Sequence, residues 1–200
     1  MSLGTFKVTG GKLIVTDPCY DLGTWCQAIL KNVRNGEWVA DANIHDFGKG
    51  GLGGKRVTRL HAKHALRGTS LPWVIEDIDI GVDSGQCGVF SLNSYPEAEA
   101  HDSKFYETCC NLTLSPSKAG IVEGTGVVSS SGWGDGGYVL RTRRDTEKKL
   151  VELEVIFIDE DEEDLVECSN CDEKVGEVDM DGLCAACQPR VELDEETEEV

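Results

Sequence analysis

The sequence predicts a mainly β body of α+β type, an antiparallel β-sandwich or roll with one or two short helices, followed by a small zinc ribbon. Three observations predict it. Apolar and polar residues alternate with a period of two in many short runs, the 23 glycines far outnumber the five prolines, and two Cys-x-x-Cys pairs stand near the C-terminus. Two hundred residues make one ordinary domain with room for a small appendage.

Taken in order, residues 12–16 read as a strand, and 24–30 as a short helix. Asn35-Gly36 is a tight-turn signal. After it, Trp38, Ala40, Ala42 and Ile44 fall on one face of a strand, and Glu37, Val39, Asp41 and Asn43 on the other. Further strands are expected at 57–61, 75–82, 88–92 and 127–130. The best helix is 96–110: Pro96 suits the first turn, Glu97 and Glu99 suit its N-terminal end, and Ala98, Phe105, Tyr106 and Cys109 can share an inward stripe. Residues 138–143 alternate again, and 144–149 link them as a hairpin to 150–158. That last run is apolar on both faces, with Glu152 and Glu154 exposed early, as in a strand that becomes central.

Charge divides the chain. The formal net charge is −18. Residues 159–200 hold 18 acidic side chains against Lys174 and Arg190, whereas residues 1–158 hold 19 acidic and 17 basic ones. The body is nearly neutral, and the acidity belongs to the C-terminal fifth. We therefore expect a β-rich domain at 1–158, an acidic linker at 159–166, a zinc ribbon at 167–190 and an acidic disordered tail at 191–200. The acidic runs read as solubility and spacing segments, or as a lure for a basic partner surface. No apolar run could cross a membrane, nothing at the start resembles a signal peptide, and the expected setting is the cytoplasm.

Cys168 and Cys171 are separated by twelve residues from Cys184 and Cys187. Two residues between thiols let one tight turn aim both sulfurs at one ion, and the intervening segment can fold back as a hairpin. A disulfide pair or a redox dithiol fits a cytosolic chain less well. The expectation is one structural zinc per chain. Four protein thiolates leave no open position for catalysis.

Other chemistry was sought along the body. Gly48-Lys-Gly-Gly-Leu-Gly53 satisfies G-x-G-x-x-G on paper, but precedes a strand-like run instead of a helix, and reads as a hairpin loop. No P-loop, G-x-S-x-G elbow or H-E-x-x-H occurs; His45, His61, His64 and His101 read as surface residues. Cys19 is a possible nucleophile without a sequence neighbour to activate it, and Cys26, Cys87, Cys109 and Cys110 read as small buried residues.

Three loops combine a carboxylate with glycines and an aromatic or amide group: Asp17-Pro-Cys19-Tyr20, Asp83-Ser84-Gly-Gln86 and Ser131-Gly-Trp133-Gly-Asp135-Gly-Gly-Tyr138. Two readings stand side by side. Each aspartate caps its own turn, or Asp17, Asp83 and Asp135 converge at one rim to hold a cation, act as acid and base, or bind a polar ligand. In the second reading Cys19, Tyr20, Ser84 and Gln86 complete the cluster, with Tyr20 or Trp133 as a flat wall.

The segments Val15-Thr-Asp-Pro-Cys-Tyr20, Ile80-Gly-Val-Asp-Ser-Gly-Gln86, Phe105-Tyr-Glu-Thr-Cys-Cys110 and Val128-Ser-Ser-Ser-Gly-Trp-Gly-Asp-Gly-Gly-Tyr138 together resemble an uncharacterised family of bacteria and their phages, catalogued as domain of unknown function 4241. The likeness spans about residues 5–158. Trp133 stands where the family pattern has Tyr, and Gly137 where Ser is common. The resemblance implies no established reaction; it implies that the motif loops act as one cluster.

Two functions follow as expectations. One is a binding or adaptor protein, with a ligand- or partner-binding β domain and the ribbon as a docking module for a protein partner. The other is a small hydrolase using the rim carboxylates with a metal ion or Cys19. Nucleic-acid binding would need a basic stripe that 165–190 does not have.

Overall fold

Alternation along the chain resolves into thirteen strands and one α-helix among the described residues: β1 (Ser2–Val8), β2 (Lys12–Thr16), β3 (Ala28–Lys31), β4 (Gly36–Asp46), β5 (Lys55–His64), β6 (Val74–Val82), β7 (Gln86–Ser91), α1 (Lys104–Thr113), β8 (Ala119–Val122), β9 (Gly126–Ser130), β10 (Gly136–Arg144), β11 (Leu150–Ile156), β12 (Val166–Glu167) and β13 (Lys174–Val175). The computed structural model describes residues 1–49, 54–66 and 68–159, with Val166, Glu167, Asn170, Cys171, Lys174, Val175 and Cys187 beyond them. The chain divides into two units, Met1–Ile158 and Asp159–Val200.

In the first unit a six-stranded sheet runs β1-β4-β5-β11-β10-β6 and a five-stranded sheet runs β3-β2-β7-β9-β8; every pairing is antiparallel. The fold is mainly β. One core draws on both sheets, with Phe6, Trp38, Leu60, Leu140 and Leu153 from the first and Leu13, Val15 and Val89 from the second, each at 2% exposure or less. A smaller apolar cluster of Ile14, Phe90, Tyr95, Cys109 and Val128 lies between the second sheet and α1. The β4 alternation holds as read, with Trp38, Ala40 and Ala42 inward.

Several elements differ from the sequence reading. The main helix starts eight residues later, at Lys104, because Ser103 caps it by accepting from Tyr106 N–H at 3.2 Å, while Glu99 in a left-handed conformation (φ 54°) bars an earlier start. Residues 24–30 form turns and then β3, which pairs with β2 instead of coiling. Glu152 and Glu154 are not exposed. As side chains of a central strand they are covered by long neighbours from β5 and β10: Glu154 pairs with Arg141 and with Arg59 at 3.9 Å, and Glu152 with Arg143 at 3.2 Å and His61 at 2.9 Å. The Trp73 ring lies against Arg141 and Arg143, 4.9 and 4.3 Å from their guanidinium carbons.

In the second unit β12 and β13 pair across the first Cys-x-x-Cys turn, and Asn170 Nδ2 donates to Cys187 Sγ at 3.4 Å. Cys168 and Cys184 lie outside the described residues, as do most of the expected linker and all of the tail. Among the described residues no group of three or more metal-ligating side chains gathers.

Candidate functional site

The three motif loops meet, and Asp17 joins them. Its carboxylate is fully buried at the end of β2 and accepts four hydrogen bonds. Cys19 N–H (2.9 Å) and Ser84 Oγ–H (2.6 Å) reach Oδ1, and the N–H groups of Asp83 (2.9 Å) and Ser84 (2.7 Å) reach Oδ2. The next turn is tied in the same way: Asp135 Oδ1 accepts from Gly85 N–H at 3.0 Å, and Ser131 N–H donates to Gly85 O at 3.0 Å. Tyr95 anchors the first loop from below, its hydroxyl donating to the carbonyls of Asp17 and Tyr20. Gln86 points elsewhere. Its amide donates to Cys110 Sγ (3.4 Å) and accepts from Thr113 Oγ1 (3.0 Å), beside a separate cavity of about 360 Å³.

Beside this junction lies a cavity of about 480 Å³, walled by Tyr20, Thr24, Trp25 and Cys26 from the β2–β3 loop, by Asp79, Gly81, Val82 and Asp83 of β6 and its turn, and by Gly136 and Gly137. Asp83 and Asp79 are its only charged walls, and neither forms an ion pair among the described residues. Tyr20 donates its hydroxyl to Asp83 Oδ2 at 2.7 Å, fixing that carboxylate at the mouth. The Trp25 ring is 88% exposed, an unusual state for the largest apolar side chain. Close packing of the loop on β6 requires Gly81: a Cβ there would sit 2.7 Å from Cys26 Sγ, and Gly81 N–H donates to Cys26 O.

The rim expected from sequence thus divides into two kinds of residue. Tyr20 and Asp83 face the cavity. Asp17 is a buried pin, because all of its accepting capacity is taken by the loops themselves. Asp135 ties a turn, as a capping aspartate does. Trp133 is not the flat wall; it packs on Phe47 at 5.0 Å and under Arg56 at 5.1 Å. Thr24, Trp25 and Asp79 were missed by sequence reasoning. The available signals were a tryptophan in a polar, glycine-containing loop and an outward aspartate in Ile78-Asp79-Ile80.

Electrostatics separates binding from nucleophilic chemistry here. Burial, then the hydrogen bond and charge of Asp17, push the Cys19 thiol up to about 12, so it is not a thiolate near neutrality. Burial and the Asp83 carboxylate likewise raise the Tyr20 hydroxyl, which stays a proton donor. The cavity walls offer two carboxylates and the side chains of Tyr20 and Trp25. The arrangement is suited to holding a positively charged group rather than to attacking a bond.

Set against the models of known families, curated proteins and solved structures, the chain finds no match. No helix among the described residues is long and apolar enough to cross a membrane.

Proposed function

We propose that this chain is a binding or adaptor protein whose β-rich unit captures a small cationic group, an ammonium or guanidinium, in the cavity beside the Asp17 junction. One observation carries the reading: the cavity's charged walls are both carboxylates, Asp79 and Asp83, and the exposed Trp25 lines the same cavity. A cation would gain two charge-assisted partners and a ring face. The hydrolase reading finds no support in Cys19, whose thiol is held neutral. Calorimetric titration with arginine amide tests the proposal. Binding in the millimolar range or tighter is expected, weakened at least tenfold by Asp79→Asn or Trp25→Ala; equal binding by these variants would sink it.

We propose the second unit as a zinc-ribbon docking module for a protein partner, with one structural zinc on Cys168, Cys171, Cys184 and Cys187. The pairing of β12 with β13 on either side of the first Cys-x-x-Cys segment, and the hydrogen bond from Asn170 of that segment to Cys187 of the second, support this. Metal ligation would supply about 10 kcal/mol or more to a segment with few apolar residues. Metal analysis should find about one equivalent per chain, and Cys184→Ser should remove it. Thiolate ligands suit a reducing compartment, so the cytoplasm is the proposed setting. Membership in the uncharacterised bacterial and phage family also stands as a proposal. It is supported by the way all four motif segments gather at the 83–86 turn, the helix motif through Cys110.

A further inference from the structure

The two edges of the six-stranded sheet are finished differently. At the β1 edge, Lys7 N–H donates to Gly124 O (2.8 Å) in the turn between β8 and β9, so the second sheet closes it. At the β6 edge, the backbone turned away from β10 meets no other described backbone until Gly81, which bonds Cys26 at the cavity wall. Among the described residues the edge is open from Val74 to Asp79, about 20 Å of strand at the usual rise. Its first two apolar side chains are also uncovered, Val74 at 59% and Ile75 at 71% exposure, with Val139 exposed on β10, while Ile78 packs on the core.

An open apolar edge is a template for another strand. A second copy of this chain is a poor occupant, because antiparallel self-pairing near the middle of the strand brings acidic residues together: a centre between Asp77 and Ile78 sets Glu76 against Asp79, and a centre at Ile78 sets Asp77 against Asp79. The same acidic residues favour a strand with basic side chains. We infer that β6 receives an extended peptide segment that alternates apolar and basic residues, adding as a seventh strand and passing one Lys or Arg side chain into the Asp79–Asp83–Trp25 cavity. This rests on the reading of the cavity as a cation site and names its partner. Main-chain bonds would supply the affinity, and the cavity would set the register. The register irregularity between Val139 and Arg141, where β6 bulges against β10, limits the added strand to a few residues on either side.

The test uses the full chain and four probes: arginine amide, an acetylated octapeptide alternating valine and arginine, that peptide with alternate backbone nitrogens methylated, and that peptide with glutamate for arginine. The octapeptide should bind at least tenfold more tightly than arginine amide, and methylation should remove that gain. Hydrogen exchange should slow at amides within Val74–Val82. Ile75→Lys, at an exposed position, should weaken the octapeptide at least fivefold and leave arginine amide unchanged. A methylated peptide binding as tightly as its parent, a glutamate-for-arginine peptide binding equally well, or exchange protection at β6 from self-association without peptide would each overturn the inference. Failure of arginine amide alone to bind, with β6 still protected by the octapeptide, would instead overturn the cavity reading.

Discussion

Two buried aspartates stand at opposite ends of β10 and use the same device for different ends. Asp145, in the hairpin turn after β10, accepts from the N–H groups of Glu147 and Lys149, both at 2.9 Å, and from Arg34. Asp17, at the junction that β10 leaves, accepts four bonds from neutral donors only. At the hairpin the chain supplies its own cation. Among the described residues the junction has none, and Asp79 and Asp83 stand next to it without an ion-pair partner. The difference teaches where a ligand's charge would matter: the hairpin is neutralised as folded, while a cation entering the cavity would meet two carboxylates with no cation beside them among the described residues.

The most damaging way to break this comparison is Asp17→Ala. It would leave three backbone N–H groups and the Ser84 hydroxyl without their acceptor, at a cost of about 3 kcal/mol or more in urea unfolding. Next comes the thiol that hangs from the same carboxylate. At pH 8 Cys19, held at about 12, should be alkylated by iodoacetamide at least ~100-fold more slowly than an unperturbed cysteine, as read by site-resolved mass spectrometry.

A smaller effect belongs to Asp145. Burial pushes its carboxyl up, but the Lys149 N–H, Arg34 and the Glu147 N–H outweigh burial and hold it below its ordinary 3.8. The unfolded chain therefore protonates there first as pH falls. The stabilisation is complete well above pH 3.8 and is lost as pH drops through and below that value. Asp145→Asn should cost about 1–2 kcal/mol at pH 7 and flatten the acid limb of a stability profile taken from pH 6 to 3. The smallest change is expected from Gly137→Ser, which adds a hydroxyl at the cavity wall. Its Cβ would meet Asp79 Cβ at an ordinary 3.5 Å, so unfolding should shift by no more than about 0.5 kcal/mol while cation binding changes.

These contrasts also mark what was legible in the sequence. Strands with an unbroken period of two, such as β4 and β10, could be read directly, since a half-buried surface writes its alternation into the chain. The motif loops could be read as loops because Asp, Gly and Pro announce turns. Three strands of the first unit could not: β1 carries too little alternation, and β3 and β8 are four-residue apolar runs that suit helix or strand equally. The burial of Glu152 and Glu154 depends on arginines from two other strands, and the split between Asp17 and Asp83 depends on which one the turn at 83–85 covers. Both are long-range facts. Trp25 and Asp79 belong to the site only because Gly81 lets the β2–β3 loop approach β6, a contact between residues more than fifty positions apart.

The central claim is that this junction separates a structural carboxylate from a binding one. Asp17→Asn and Asp83→Asn, measured side by side by urea unfolding and by calorimetric titration with arginine amide, test it most directly. The account predicts that Asp83→Asn keeps stability within about 1 kcal/mol and loses at least tenfold in binding, whereas Asp17→Asn loses about 2 kcal/mol or more in stability because an amide donor would face N–H donors. An Asp83→Asn chain that binds arginine amide as the parent does, or an Asp17→Asn chain as stable as the parent, would contradict it.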